Sequence, residues 1–292
     1  MLMRDKIKHT WYLLCRYVFI IIPDRLFVQI TAFITYSRLG FPYRAYDLSN
    51  PASFNEKITK LKINPDNVDL CIYADKIEVR EYVRNEIGEK YLVPLLGIYK
   101  SADEINFYSL PEKFVLKTNH GSGWNIICED KNKLDFDKTR RTLAKWLHYN
   151  AFYLSREYQY KQIKPAIICE EMIGFNIYDY KFFCFYGEPK IVQVDVDRFT
   201  KHKRAFFDMQ WEKQDFSIRY SVSEKNIDKP IQFTQMIEIC RKLSSPFPFV
   251  RVDLYSHNSR VYFGELTFFP GGGNEPFNPV EADYSFGELL DL

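Results

Sequence analysis

The feature that most constrains this chain is its closing pair of alternating runs, PFVRVDLY and VYFGELTF, separated by SHNSR and followed by PGGG. Side chains of a strand point alternately to opposite faces, so Arg251 and Asp253 share one face while Val250, Val252 and Leu254 share the other. With Ser256 to Arg260 as the turn, Tyr255 pairs with Val261 and Arg251 with Glu265, and Glu265, Thr267 and Phe263 join the polar face. Such a hairpin demands an antiparallel sheet with one apolar side and one side crowded with two carboxylates and an arginine. Burying those carboxylates without a counter-ion is costly. A hard divalent cation such as Mg²⁺, which takes carboxylate oxygens plus substrate phosphates, meets the need, and Arg251 would then steady a phosphate. The plainer alternative is a cross-strand salt bridge on a solvated face. The glycines of PGGG tilt the balance by allowing backbone to approach a ligand closely.

Upstream, AIICEEMI, DYKFFCFYG, PKIVQVDVD and RAFFDM follow one another as strand-type runs with no helix between them. That order predicts an α+β protein with a mixed or antiparallel sheet, not a doubly wound one. At 292 residues the chain has room for two or three lobes. Four regions emerge: residues 1–50, helical and apolar; 51–110, an α/β part; 111–170; and the strand-rich 171–292. Ser53 opens a helix as the capping box SFNE. Ile72, Ile77, Val83 and Ile87 predict an amphipathic helix from Leu70 to Ile87 with Lys76 near its solvent edge, and Asp137 is expected to cap a helix through Leu147. Forty basic and 38 acidic residues are interspersed, which removes nucleic acid as an obvious partner. Six scattered cysteines without CxxC spacing read as reduced core thiols and favour the cytoplasm.

Three further constellations carry chemistry. In KTNHGSGW, Lys117 ends an apolar strand and Gly121, Ser122 and Gly123 form a flexible turn whose amides suit a phosphate. The spacing matches neither common nucleotide fingerprint, and an exposed hairpin is the alternative. His120 beside it is a candidate base, although a loop histidine is more often a surface hydrogen-bonding residue. CEEMIG puts Glu170 and Glu171 at a strand end, where one could accept hydrogen bonds from ribose hydroxyls. DYKFFCF puts Asp179 and Lys181 on one face, and Lys181 could neutralise a γ-phosphate or simply face solvent.

Trp11 to Ile22 is apolar apart from Arg16 and is flanked by Arg4, Lys6, Lys8 and Arg25. It is shorter than the about 20 residues a membrane span requires. A docked core helix and a helix lying on an anionic membrane surface both fit, with core packing preferred on pattern alone.

In order, SFNEKI, ADKIEVREYV, PEKFVLKTNHGSGWNI, DYKFFCFYGEP, FPFVRVDLY and GELTFFPGGG resemble the ATP-grasp superfamily. More specifically, over about residues 50 to 292 the chain resembles the TupA-like ATP-grasp family associated with teichuronopeptide and bacterial surface-polysaccharide biosynthesis. The resemblance implies an ATP-grasp fold: two α+β lobes sandwiching ATP, here with an N-terminal helical extension. It implies Mg²⁺ and an acyl-phosphate that an amine attacks. Lys76 and Lys117 then correspond to nucleotide-lobe lysines, and Gly121 to Gly123, with His120 and Ser122, to the phosphate loop. Glu170 and Glu171 correspond to the adenine and ribose hinge, Lys181 to the γ-phosphate contact, Arg251 to the oxyanion arginine, and Asp253 and Glu265 to metal ligands. Many such ligases carry Asn two residues beyond the metal glutamate; here Thr267 stands there, with Asn274 a substitute oxygen donor.

The implied activity is a carboxylate–amine ligase joining an amino acid to a uronic acid or amino sugar, nucleotide- or lipid-linked, at the inner face of the membrane. A glycan kinase using the same cradle and a non-catalytic membrane-associated assembly factor are the competing readings. Residues 149–160, Arg198, His202 and Arg204 are candidates for the acceptor pocket, and residues 1–40 for membrane contact.

Overall fold

The computed structural model describes residues 9–174, 177–196 and 202–292; Arg4, Lys6, Lys8 and Arg198 lie outside the described residues. The chain divides into two compact units. Unit 1 comprises Met1–Val28, Ile63–Arg80 and Val93–Ile173, and unit 2 comprises Gln29–Lys62, Glu81–Leu92 and Gly174–Leu292.

Unit 1 holds a four-stranded antiparallel sheet of β1 (Leu95–Tyr99), β2 (Phe114–Thr118), β3 (Asn125–Cys128) and β4 (Ile167–Glu171), in the order β1-β4-β2-β3. Phe114, Leu116, Cys128, Ile167 and Cys169 bury one side of it with Phe107 and with Leu143 of the helix Phe136–Leu147. That helix is capped by Asp135, whose carboxylate accepts the Lys138 N–H at 2.8 Å; Asp137 falls inside the first turn.

The helix expected from Leu70 to Ile87 is broken. Cys71–Ala74 and Val79–Glu86 are helical, and Asp75 between them has extended backbone (ψ 117°). The Asp75 carboxylate accepts the Ile77 N–H at 2.8 Å, so a side chain competes with the helix for its own backbone donors. Lys76 therefore sits in a turn.

Unit 2 holds a five-stranded antiparallel sheet of β5 (Asp179–Phe185), β6 (Glu188–Val196), β7 (Lys203–Phe207), β9 (Phe249–His257) and β10 (Arg260–Thr267), in the order β10-β9-β5-β6-β7. Short β8 (Ser217–Ile218) pairs with β11 (Phe277–Asn278). The apolar face, carrying Phe182, Val192, Val194, Val250, Val252 and Leu254, is buried, with the Phe182 ring 5.9 Å from Phe233 of the helix Phe233–Ser244. Both sheets are antiparallel and the fold is α+β, as the succession of strands implied.

The closing hairpin differs from expectation in register. Asn258 and Ser259 both have positive φ (49° and 58°) and form a two-residue turn, so Tyr255 pairs with Tyr262. A bulge at Gly264 then shifts the ladder by one, placing Glu265 opposite Asp253 and Thr267 opposite Arg251. Phe263, opposite Leu254, moves to the apolar side. The bulge thus keeps all four polar side chains together by a different pairing. A Cβ on Gly264 would lie 3.0 Å from the Asp253 carbonyl oxygen.

Helix Phe54–Lys62 begins as predicted. The Glu56 carboxylate accepts the Ser53 N–H at 3.0 Å and the Ser53 hydroxyl accepts the Glu56 N–H at 3.3 Å. Phe54 then enters an aromatic cluster with Phe183, Phe185, Phe249, Phe277 and Phe286. The six cysteines are free thiols, and burial pushes that of Cys15 up to about 11 and that of Cys169 up to about 12.

Candidate functional site

Unit 1 assembles its candidates around Glu170. The Glu170 carboxylate is diagonal to Lys117 across β4 and β2 and accepts Lys117 Nζ at 2.7 Å, while its other oxygen accepts Arg80 Nη1 at 3.0 Å. Arg80, which the sequence did not single out, is itself fixed by the Val93 carbonyl at 3.0 Å. Glu171, one residue on, is exposed.

Lys76 Nζ donates to the Gly121 carbonyl at 2.7 Å. This ties the Asp75 turn to the glycine loop, a tie repeated by Asn119 Nδ2 donating to Asp75 Oδ2 at 2.9 Å. His120 is buried, with Nε2 donating to the Tyr149 carbonyl at 3.0 Å and Nδ1 3.1 Å from Asn119 Oδ1. Burial holds its pKa below the ordinary value. Both ring nitrogens thus face protein acceptors. Gly121 lies under Trp124, where a Cβ would meet the indole at 2.4 Å, and Gly123 has φ +74°. Ser122 and Gly123 form the exposed tip of the loop.

Unit 2 carries its candidates on the polar face of the large sheet. Lys181 stands between Asp179 (2.5 Å) and Asp253 (2.6 Å), and Arg251 grips Asp253 through Nε and Nη2, both at 2.7 Å. Arg251 Nη2 also donates to the Thr267 hydroxyl at 3.1 Å and lies 3.8 Å from Glu265. Burial alone would lower Lys181, but Asp179 and Asp253 raise it above its ordinary value, so the ammonium stays charged.

The network continues into residues without a sequence motif. Asp195 accepts Gln193 Nε2 at 2.7 Å and lies 3.4 Å from Arg204. Glu275 accepts Arg204 at 2.9 Å and Arg219 at 3.2 Å. Burial would raise the Glu275 carboxyl, yet Arg204, Arg219 and Arg251 hold it below the ordinary range. Five carboxylates here face four Lys and Arg cations. His202 is 3.4 Å from Asp195. The pairing Asp195 with Arg204 could have been suggested by β6–β7 register, whereas Glu275 lies in irregular chain after the glycines and gave no periodic signal.

PGGG is used differently from the sequence reading. Gly272 and Gly273 carbonyls accept Lys62 Nζ (2.5 Å) and the Tyr46 hydroxyl (2.9 Å), and a Cβ on Gly273 would stand 2.4 Å from Thr59 Oγ1. These glycines let the turn Pro270–Gly273 press against the helix Phe54–Lys62. Asn274, which ends the turn, has a buried carboxamide oxygen with no hydrogen-bond partner. Among the described residues no three His, Cys, Asp or Glu side chains converge closely enough to hold a metal by themselves.

Two α+β units, one with a lysine–glutamate pair and glycine loop and the other with an ionic sheet face, define an ATP-grasp type of protein. The sequence model of the TupA-like ATPgrasp family matches residues 56–291, and the chain belongs to that family. No curated protein matches the chain. Among solved structures, D-alanine–D-alanine ligase from Bacillus anthracis is similar at 18% identity and TM-score 0.47, over 75% of this chain and 65% of that one. ATP-grasp ligase PsnB complexed with a minimal precursor shares 10% identity at TM-score 0.38, over 77% and 58%. N5-carboxyaminoimidazole synthetase from Staphylococcus aureus complexed with ADP shares 14% at TM-score 0.39, over 66% and 43%. The chain thus spans less than two thirds of the length of each of these proteins.

Proposed function

We propose that the protein is an ATP-dependent carboxylate–amine ligase that attaches an amino acid to a uronic acid or amino sugar of a bacterial surface polysaccharide. The observation that carries the reading is the row Lys181, Asp253 and Glu265 with Arg251, an ionic face on a sheet whose other side buries Phe182, Val252 and Leu254 behind it. Membership of the TupA-like ATPgrasp family supports the class of reaction.

In this reading the carboxylate oxygen of one substrate attacks the γ-phosphorus of ATP and ADP leaves. The amine of the second substrate then attacks the acyl carbon and phosphate leaves, giving an amide. Lys76, Lys117 and the Gly121–Ser122–Gly123 loop hold nucleotide phosphates, while His120, whose Nε2 donates to the Tyr149 carbonyl, anchors the loop instead of touching phosphate, and Glu170 and Glu171 meet ribose and adenine. Lys181 neutralises the γ-phosphate, and Arg251 steadies the developing oxyanion. These groups position and stabilise charge and form no covalent bond to substrate.

The oxygens present fit Mg²⁺, which is commonly held by one or two carboxylates together with substrate phosphates. Asp253 and Glu265 face each other across the bulge, each carboxylate oxygen has two lone pairs, and Asn274 Oδ1 is a buried acceptor awaiting a donor or cation. Thr267 adds a hydroxyl 3.1 Å from Arg251. Bound there, Mg²⁺ would offset charge on the β- and γ-phosphates.

The test is ADP release with ATP, Mg²⁺, an amino acid and a uronate or amino sugar. Release dependent on both acceptor substrates, with a product mass equal to their sum less water, supports the ligase. A product heavier by a phosphoryl group would mean a glycan kinase, and absence of turnover with a full panel would favour an assembly factor.

A further inference from the structure

Residues 9–28 are fastened to unit 1 along one side. Tyr12 is buried and stacks on Tyr149 at 4.3 Å, and its hydroxyl accepts the Asn150 N–H at 3.1 Å. Arg156, fully buried, pairs with Asp24 at 2.9 Å, donates to the Phe19 carbonyl at 2.7 Å and lies 4.2 Å over the Phe27 ring. The segment is thus a docked one.

Its other side is uncovered. Ile21 is 83% exposed, Tyr17 65%, Leu26 52% and Val18 49%, with Trp11 and Leu14 exposed beside them. On the helix Asp24–Leu39 the exposed apolar residues are Leu26, Ile30, Phe33 and Ile34, the i, i+4, i+7, i+8 spacing of a single stripe. This helix buries Phe27, Val28 and Ala32, so it is apolar on two sides and covered on one. Exposed apolar surface on this scale marks an interaction site.

Charge identifies the occupant. Asp24 is the one acidic residue between positions 9 and 39, and it is committed to Arg156 and to the Tyr158 hydroxyl at 2.9 Å. Arg25 and Arg38 are exposed, and the preceding sequence adds Arg4, Lys6 and Lys8 against Asp5. An apolar strip bordered by cations, with Trp11 and Tyr17 among its rings, matches the chemistry of an anionic headgroup layer over acyl chains. No helix among the described residues is long and apolar enough to cross a membrane, so the strip would lie in the interface plane.

We propose that this surface docks the protein onto a bilayer rich in anionic phospholipid, with Val18, Ile21, Leu26, Ile30, Phe33 and Ile34 entering the headgroup–acyl boundary. The inference does not depend on which reaction the protein catalyses.

The test is co-sedimentation of the full chain with vesicles of phosphatidylcholine containing about one third phosphatidylglycerol. Binding is expected to these vesicles and to be about tenfold weaker to pure phosphatidylcholine or at high salt. Val18→Ser/Ile21→Ser and Phe33→Ser/Ile34→Ser should each weaken partition about tenfold while thermal unfolding stays within a few degrees of the parent, since every changed residue is exposed. Equal partition by parent and variants would overturn the proposal. So would a concentration-dependent dimer, seen in sedimentation velocity without vesicle binding and dissociated by the same substitutions, because a second copy would then cover the face.

Discussion

The two candidate faces solve the problem of placing charge on a sheet in opposite ways. In unit 1 the Lys117 side chain is 23% exposed and shares Glu170 with a single second cation, Arg80. In unit 2 the Asp253 side chain is 2% exposed and is held by both Lys181 and Arg251, which themselves touch Asp179 and Thr267. A partly solvated pair can lose a member and let water replace it, whereas a desolvated cluster cannot. Unit 2's face is therefore as much a part of the fold as of any chemistry, and unit 1's is closer to a separable binding device.

The sharpest test of this contrast is Asp253→Ala. It removes the carboxylate that Arg251 and Lys181 share, leaving Asp179 and Glu265 to offset two buried cations, and should cost about 3–5 kcal/mol in denaturant unfolding, as well as reducing ATP turnover to background. Unchanged turnover in a folded variant would remove Asp253 from the proposed metal site.

Next in size is Gly273→Ala, where φ is +68° and the new methyl would meet Thr59 and the Asn55 carbonyl oxygen. A loss of about 2 kcal/mol in thermal unfolding, with KM for ATP unaltered, is expected if these glycines serve packing. A raised KM without destabilisation would restore a ligand-approach role.

Glu170→Gln should act more mildly, since Lys117 can turn to solvent. Steady-state kinetics should show KM for ATP raised about tenfold with kcat changed less than about twofold. A collapse in stability comparable to that of Asp253→Ala would erase the distinction between the faces.

The smallest effect concerns acid. Burial would raise the Asp195 carboxyl, but His202, Lys181, Arg204 and Gln193 together hold it well below its ordinary 3.8. A carboxyl lowered in the folded state adds stability that is fully present above its unfolded value and is lost progressively as pH falls from that value through the lower folded one. Asp195→Asn should therefore be less stable than the parent at neutral pH, with the gap closing below about pH 4, as read from melting curves. A gap independent of pH would mean that the interaction is not ionic.

Much of this was legible from periodicity. Alternation in PFVRVDLY fixed which face bears Arg251 and Asp253, the SFNE box marked a helix start, and the order of strand-type runs implied antiparallel sheets. Exceptions arose where a side chain or a bulge overrode the local pattern. Asp75 took backbone donors from a helix whose apolar spacing looked continuous, and the two-residue turn at Asn258 and Ser259 put Phe263 on the apolar face while the bulge at Gly264 returned Glu265 to the polar one. Arg80 and Glu275 carried no motif, since each reaches its partner from irregular chain or from a distant element.

The sequence by itself determined the α+β class, the family, and the identity of the polar groups on the unit 2 sheet, because these follow from spacing along one strand or from ordered short motifs. The tertiary structure decided what those groups touch. Lys181 bridged to Asp253, His120 sealed by the Tyr149 carbonyl and Gly273 pressed on Thr59 are all contacts between segments far apart in the chain, and no local periodicity encodes a partner at that distance.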